Sequence, residues 1–371
     1  MIHQLMDDEN LTANKLSEDE YCKLLSASVE YKASAVEFPK FVFRNWQVQS
    51  LVSSNLMQGM DKDKSSSREK LFHTTNAIRA FSKVQLNALM EVCRAFSGQI
   101  EYSLLKSSAL RVAYYDDPIS RVGWDIDIAV DKENIPAATV KLQALGYEFS
   151  QFDSQTKHFS PADPMLRAAV EAKHYELGFL ARRNRITGLS QEQMDSISRV
   201  HSDGGQWHIG SDGQFYCYTT VDVHHGLSLD LSVANLVKEG VEIEFEGQGI
   251  SIPRASWLAF HVIYKIYWEG VHAYGKGLYQ YADLVRLIKK LSEVEVLNLI
   301  KLIDDSNLRV AALYVLRRLP YHFDTLLHPH LQNYLDTTMP KVGSDPMKLN
   351  DLGDMWEKLW GRYGVADVRC F

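Results

Sequence analysis

The spacing of apolar residues changes period twice along the chain. From about Leu16 to Gln58, as in EYCKLLSASVEY and FRNWQVQSLVSSNLM, they recur at helical intervals before the polar stretch DKDKSSSREK, which reads as a loop. TTNAIRAFSKVQLNALMEVCRAFSG then predicts an amphipathic helix, opened by a threonine cap and closed by Gly98. Beyond it the texture turns mixed. IEYSLLKSSALRVAYY, DIDIAV and NIPAATVKLQALGYEF predict a strand ending near Lys106, a short helix, a strand over 125–130, and a helix closed by Gly146 before a further strand. Residues 163–185, DPMLRAAVEAKHYELGFLARRNR, predict one long amphipathic helix whose LARRNR end is solvated. WHIGSDGQFYCYTTVDVHHGLSLDL predicts a hairpin turning at Ser211–Gly213 with an alternating second arm, and VEIEFEGQGISIP a second strand pair. After Pro253 the helical period returns in RASWLAFHVIYKIYWEG, LYQYADLVRLIKKL, EVLNLIKLIDD and LRVAALYVLRRL. A polar tail follows, with a last helix near DLGDMWEKLWGRYG.

These patterns divide the chain into a helical region over 1–98, an α/β core over 99–253 with a helical insertion near 160–200, and a helical domain over 254–371. A length of 371 residues suits two or three packed units better than one core, and no internal repeat or low-complexity tract interrupts it. The net charge of −7 leaves no broad electrostatic footprint for nucleic acid. The acidic N-terminus lacks the apolar core of a signal peptide, no run is long enough to span a bilayer, and Cys22, Cys93, Cys217 and Cys370 form no C-x-x-C; a cytoplasmic protein with free thiols is expected.

Candidate chemistry concentrates in SRVGWDIDIAVD, residues 120–131. Strand alternation puts Asp125, Asp127 and Ala129 on one side and Ile126, Ile128 and Val130 on the other, so the apolar side can pack while two acids project together. Like charges that close repel unless a cation or a shared proton relieves them, and Mg²⁺ with a few carboxylates, water and phosphate oxygens is the usual remedy. An amphipathic strand with acids on a solvated face is the alternative.

The wider segment LLKSSALRVAYYDDPISRVGWDIDIAVDKENIPAATVKLQALGYEF resembles the core of the uncharacterised nucleotidyltransferase family within the polymerase-β-like superfamily. Leu105-Lys106, Ala109-Leu110, Tyr115, Pro118, Arg121, Asp125-Ile126-Asp127 and Leu145-Gly146-Tyr147 stand in the order and spacing of that family's motifs. The likeness continues at VDVHHGLS, where the family carries a third acid on a V-D-L/V-H strand, here Asp222, and more loosely into the helices after Pro253. The resemblance implies an α/β (α+β) fold, a small mixed-sheet polymerase-β-like core flanked by N- and C-terminal helical units. It also implies two metal ions, Mg²⁺ or Mn²⁺, bridging Asp125, Asp127 and Asp222 to the phosphates of an NTP, with ATP the expected donor.

The turn before the acids departs from the superfamily. Ser107 stands where relatives carry a glycine that lets backbone approach the triphosphate at a helix N-terminus. Lys106, Ser107, Ser108 and Arg121 are candidate nucleotide contacts; the serines serve equally as helix caps, and Arg121 as a structural ion-pair partner of an acid. By alternation His224 shares a face with Asp222, which makes it a candidate to orient a metal ligand, whereas His225 points away. GVHAYGKG, residues 270–277, approximates a phosphate-binding P-loop but has Gly277 in place of the metal-binding hydroxyl and follows a helix, not a strand.

The expected activity is metal-dependent transfer of a nucleoside monophosphate to an unidentified acceptor, a small molecule rather than protein or RNA, with pyrophosphate released. The alternative is a non-catalytic nucleotide-binding or interaction module that keeps the fold.

Overall fold

In the computed structural model, which describes residues 66–123, 125–153, 158–200, 207–228, 231–272, 278–323 and 325–342, the first element is helix α1 (Ser66–Phe96). Ala77, Ile78, Phe81, Gln85, Leu89, Val92 and Phe96 form its buried stripe at helical spacing, and Gly98, with φ +67°, closes it in the left-handed conformation that glycine adopts without strain. The helix begins earlier than the sequence predicts. Ser66–Lys70 already belongs to it, since Arg68, Glu69 and Lys70 are good helix formers, and Thr75 is an interior buried residue instead of a cap. The helices predicted between Leu16 and Gln58 and near 351–364, the P-loop-like segment from 273, Cys22 and Cys370 lie outside the described residues.

The mixed region builds β1 (Tyr102–Leu104), α2 (Lys106–Ala113), β2 (Ile126–Val130), α3 (Ile135–Ala144), β3 (Glu148–Asp153), β4 (His158–Pro161), α4 (Pro164–Lys173), β5 (Leu180–Arg185), α5 (Gln191–Val200), β6 (Trp207–Ile209) and β7 (Phe215–His224). Its strands form one seven-stranded mixed sheet in the order β1-β2-β7-β5-β3-β4, with β6 also paired to β7. Only β2 and β7 run parallel among these pairs. The long helix predicted over 163–185 is not found. α4 stops at Lys173, the chain turns at Gly178 (φ +78°), and LARRNR is strand β5, paired with β7 from Leu180–Val221 to Arg185–Tyr216. Without β5, the central strand would leave a row of buried backbone donors and acceptors unpaired, a cost that outweighs local helical preference.

Alternation sorts β7 into two faces. Phe215, Cys217, Thr219, Val221 and Val223 are buried, and Trp207 of β6 meets Phe81 of α1 edge-on at 5.1 Å. On the other face Tyr216 and Tyr218 are half-buried, while Asp222 and His224 are buried. A hairpin of β10 (Val241–Phe245) and β11 (Gln248–Ile252), following the short pair β8 (Gly226–Ser228) and β9 (Leu231–Ser232) and helix α6 (Ala234–Lys238), turns through Glu246 and Gly247, both at positive φ as a two-residue hairpin requires.

The described residues divide into two compact units, Phe72–Arg254 with the sheet, and the helices from Ala255 onward. In the second, α7 (Ala255–His272) packs on α8 (Leu278–Lys290), α9 (Glu293–Asp305) and α10 (Arg309–Leu316) around Leu258, Phe260, Ile263, Tyr281, Leu299 and Leu313. The stretch predicted as polar tail contributes α11 (Arg318–Phe323) and α12 (Pro329–Val342), the latter opened by a proline, which costs nothing where a helix has no partner for its N–H.

Candidate active site

Parallel pairing sets Asp127 directly beside Asp222, and Ala129 beside His224. Paired residues on neighbouring strands point the same way, so the two acids and His224 emerge from one face. All five residues of β2 are buried, including Asp127, which excludes the reading of this strand as a solvated acidic face. Asp125 lies one residue before β2 and is partly exposed.

Lys106 is the first residue of α2 and has φ +46°, a left-handed backbone rare for a residue with a Cβ. That conformation returns its side chain to the acids: the ammonium donates to Asp127 Oδ1 at 2.6 Å and lies 3.4 Å from His224 Nε2. Ser107 and Ser108 follow inside the helix. Neither caps it, since Leu105 is the cap residue and no side chain caps the turn. Ser108 Oγ instead accepts the backbone N–H of Asp127 at 3.0 Å, and the N–H of Leu105 donates to the Asp127 carbonyl at 2.9 Å, tying the turn to the acid-bearing strand on both sides. Ser107 Oγ packs against Gly123, where an added Cβ would lie 2.5 Å away. The room that the Ser107 side chain occupies is left by a glycine facing the turn.

Arg121 is buried, its guanidinium donating to the Val122 carbonyl. Its charge reaches Arg111, whose pKa falls to about 9 through burial and then through Arg121, with Asp117 opposing. Arg111 bridges the helices and the loop by donating to Pro118 O at 3.1 Å and to Ser82 O and Oγ at 3.0 and 2.9 Å.

Burial, then Asp125 and Asp127, push the Asp222 carboxyl well above the usual carboxylate range, with Lys106 opposing. Burial alone would lower the Lys106 ammonium, but Asp127, Asp125 and Asp222 reverse this and hold its proton well above the ordinary lysine range. His224 Nε2 sits 3.1 Å from Asp127 Oδ1, and its Nδ1 is 3.5 Å from Glu176 Oε2. One ligand atom from each of Asp127, Asp222 and His224 lies within 4.8 Å of the other two. Asp127 Oδ2 and Asp222 Oδ1 are buried with no hydrogen-bond partner in the protein. Orphaned anionic oxygens beside an imidazole are a donor set that fits a divalent cation.

Two residues at this site escape sequence reasoning. Gly123 was visible as a lone glycine ahead of the acids, but its contact with Ser107 depends on the fold. Glu176 sits in the stretch predicted as helix, and nothing local links it to His224.

No curated protein and no solved structure matches the chain significantly. Residues 42–324, however, match the family described as uncharacterised nucleotidyltransferase, a span that includes the turn at Lys106, both acid-bearing strands and most of the described C-terminal helices. That match covers well over half of the chain, and the chain belongs to this nucleotidyltransferase family.

Proposed function

We propose that this protein moves a nucleoside monophosphate from an NTP, with ATP the expected donor, to a small-molecule acceptor in a Mg²⁺- or Mn²⁺-dependent reaction that releases pyrophosphate. The observation that carries the reading is the pairing of Asp127 with Asp222 on parallel strands, each with a buried oxygen lacking a partner, in a chain of this family. Asp127, Asp222 and His224 would hold a divalent ion, which when bound would supply positive charge at the transferring phosphate and ease deprotonation of the acceptor hydroxyl. Asp125, half-exposed at the edge of the group, faces the phosphates. Lys106 neutralises the acids and follows the phosphate charge when NTP binds, while Ser107 and Arg121 shape the phosphate side of the turn. The acceptor oxygen bonds to the α-phosphorus, the bond from that phosphorus to the bridging oxygen of the departing pyrophosphate breaks, and the acceptor proton passes to the ionised carboxylate of Asp222.

The acceptor meets the same sheet face further along β7, where Tyr216, Tyr218 and His208 stand side by side and Arg183 lies 3.6 Å from the centre of the Tyr216 ring. Arg183 and His208 come from the stretch between Asp127 and β7, while Tyr216 and Tyr218 stand on β7 itself. No helix among the described residues is long and apolar enough to cross a membrane, and the buried thiols of Cys93 and Cys217 suit the cytoplasm, where we place the reaction.

The test is incubation with α-labelled NTPs, Mg²⁺ or Mn²⁺ and a panel of acceptors, following pyrophosphate and labelled product. Asp127→Asn is expected to lower turnover at least about 100-fold, since several kcal/mol of charge stabilisation depend on the ion. Full activity in that variant sinks the site, and metal-dependent NTP binding without turnover on any acceptor identifies the non-catalytic module instead.

A further inference from the structure

Glu176 is fixed against the end of β7 by the backbone on both sides of it. The carbonyl of Tyr175 accepts the N–H groups of His225 and Gly226 at 2.9 and 3.2 Å, the N–H of Leu177 donates to Val223 O at 3.1 Å, and Glu176 itself bridges to His224. Its carboxylate approaches His224 Nδ1 at 3.5 Å, and the Tyr175 ring stacks on the imidazole with centroids 6.0 Å apart and planes 26° from parallel. The opposite edge of the imidazole faces the acids, with Nε2 3.1 Å from Asp127 Oδ1 and 3.4 Å from the Lys106 ammonium. A neutral imidazole carries one ring proton. On Nε2, that proton meets the Asp127 carboxylate at 3.1 Å; on Nδ1, it points to the Glu176 carboxylate 3.5 Å away and frees the Nε2 lone pair for an ion that takes up the charge of Asp127.

We propose that Glu176 is a positioning residue that holds His224 in its Nδ1–H form, that Nε2 is thereby a direct ligand of the divalent ion, and that the resulting set of one nitrogen and two carboxylates prefers a first-row transition ion such as Mn²⁺ or Co²⁺ to Mg²⁺. The inference rests on the metal-dependent reading above. Mg²⁺ selects oxygen ligands and sheds water reluctantly, whereas first-row ions accept imidazole, with affinity rising from Mn²⁺ to Co²⁺. A carboxylate behind a ligating histidine fixes its tautomer and raises its basicity, and losing such a partner costs about 10–100-fold in metal affinity.

Calorimetric titration of the full-length protein with Mn²⁺, Co²⁺ and Mg²⁺ tests the preference, and Glu176→Gln tests the positioning. The wild type is expected to bind Mn²⁺ and Co²⁺ at least about tenfold more tightly than Mg²⁺. The variant is expected to lose about 10–100-fold for Mn²⁺ and Co²⁺ and far less for Mg²⁺, with a shifted visible spectrum of the Co²⁺ form. Equal loss for all three ions, or an unchanged spectrum and unchanged affinities, overturns the role of Glu176. Pulsed electron paramagnetic resonance of the Mn²⁺-loaded wild type needs no variant. Coupling to an imidazole nitrogen is expected, and ion binding without it overturns this inference while leaving the metal-dependent reading intact. Failure of the wild type to bind any of the three ions defeats both.

Discussion

Lys106 holds a conformation that costs of order 1 kcal/mol or more, sustained by the helix it opens and by three acids facing its ammonium. The serine that follows, the residue most at odds with the family pattern, turns out to need no glycine-like backbone of its own. The positive φ lies one residue earlier, and the missing Cβ that makes room for the Ser107 hydroxyl is that of Gly123 across the turn. This arrangement is testable by stability. Gly123→Ala puts a methyl group 2.5 Å from Ser107 Oγ and 3.3 Å from the Asp125 carbonyl, so urea unfolding is expected to show a loss of about 1–3 kcal/mol. Adding Ser107→Gly removes the closer clash and should return part of that loss; strict additivity of the two changes would show that they do not share this contact.

Strand β7 shows what an element contributes that its residues do not. Its ten residues carry the half-buried rings Tyr216 and Tyr218 at one end and the buried Asp222 and His224 at the other, all on one face. The same element pairs with β5, β6 and β2, so it fixes both the acid group and the surface assigned to the acceptor. At the β6 edge, burial, then His158 and Arg183, lower the His208 pKa to about 4. Below the ordinary histidine value of 6.5 the unfolded chain takes up a proton that the folded chain refuses until about pH 4. Stability contributed here is therefore present above pH 6.5 and lost as pH falls through that window. His208→Gln is expected to flatten the fall in unfolding free energy between these pH values, measured by denaturant titration against the wild type.

At the scale of the molecule, every residue assigned to the metal group lies in the unit Phe72–Arg254, together with two thiols whose burial raises their pKa to about 12, Cys93 in α1 and Cys217 in β7. Neither is expected to react with iodoacetamide at neutral pH in the native protein. As denaturant rises, mass spectrometry should find both sites becoming reactive over the same concentration range, because one compact unit encloses them. Labelling of Cys217 well before Cys93 would show that the sheet opens without the helix.

Much of this was legible in the chain because it depends on covalent geometry within a few residues. A period of two separates Asp127 from Ile126 and Ile128, a helical period marks α1, and Gly98, Gly146 and Gly213 punctuate turns wherever the sequence is read. The same locality is why LARRNR misleads: its own pattern suits a helix end, and only the unpaired edge of β7 makes it a strand. The D-x-D motif, likewise, could announce two acids but not which of them meets Asp222. Strand register decides that, through backbone pairing between segments far apart in the chain: it sets Asp127 directly beside Asp222 and brings His224 onto the same face, while Asp125, one residue before the strand, bears on the Asp222 carboxyl through its charge. Local pattern was enough for most of the elements and for the stock of carboxylates, because alternation and helical spacing are properties of neighbours; β5 was the exception. Only the tertiary structure decided that Lys106, Glu176 and Gly123 belong to the same site, because their contacts arise when distant segments satisfy one another's charge, volume and hydrogen bonds.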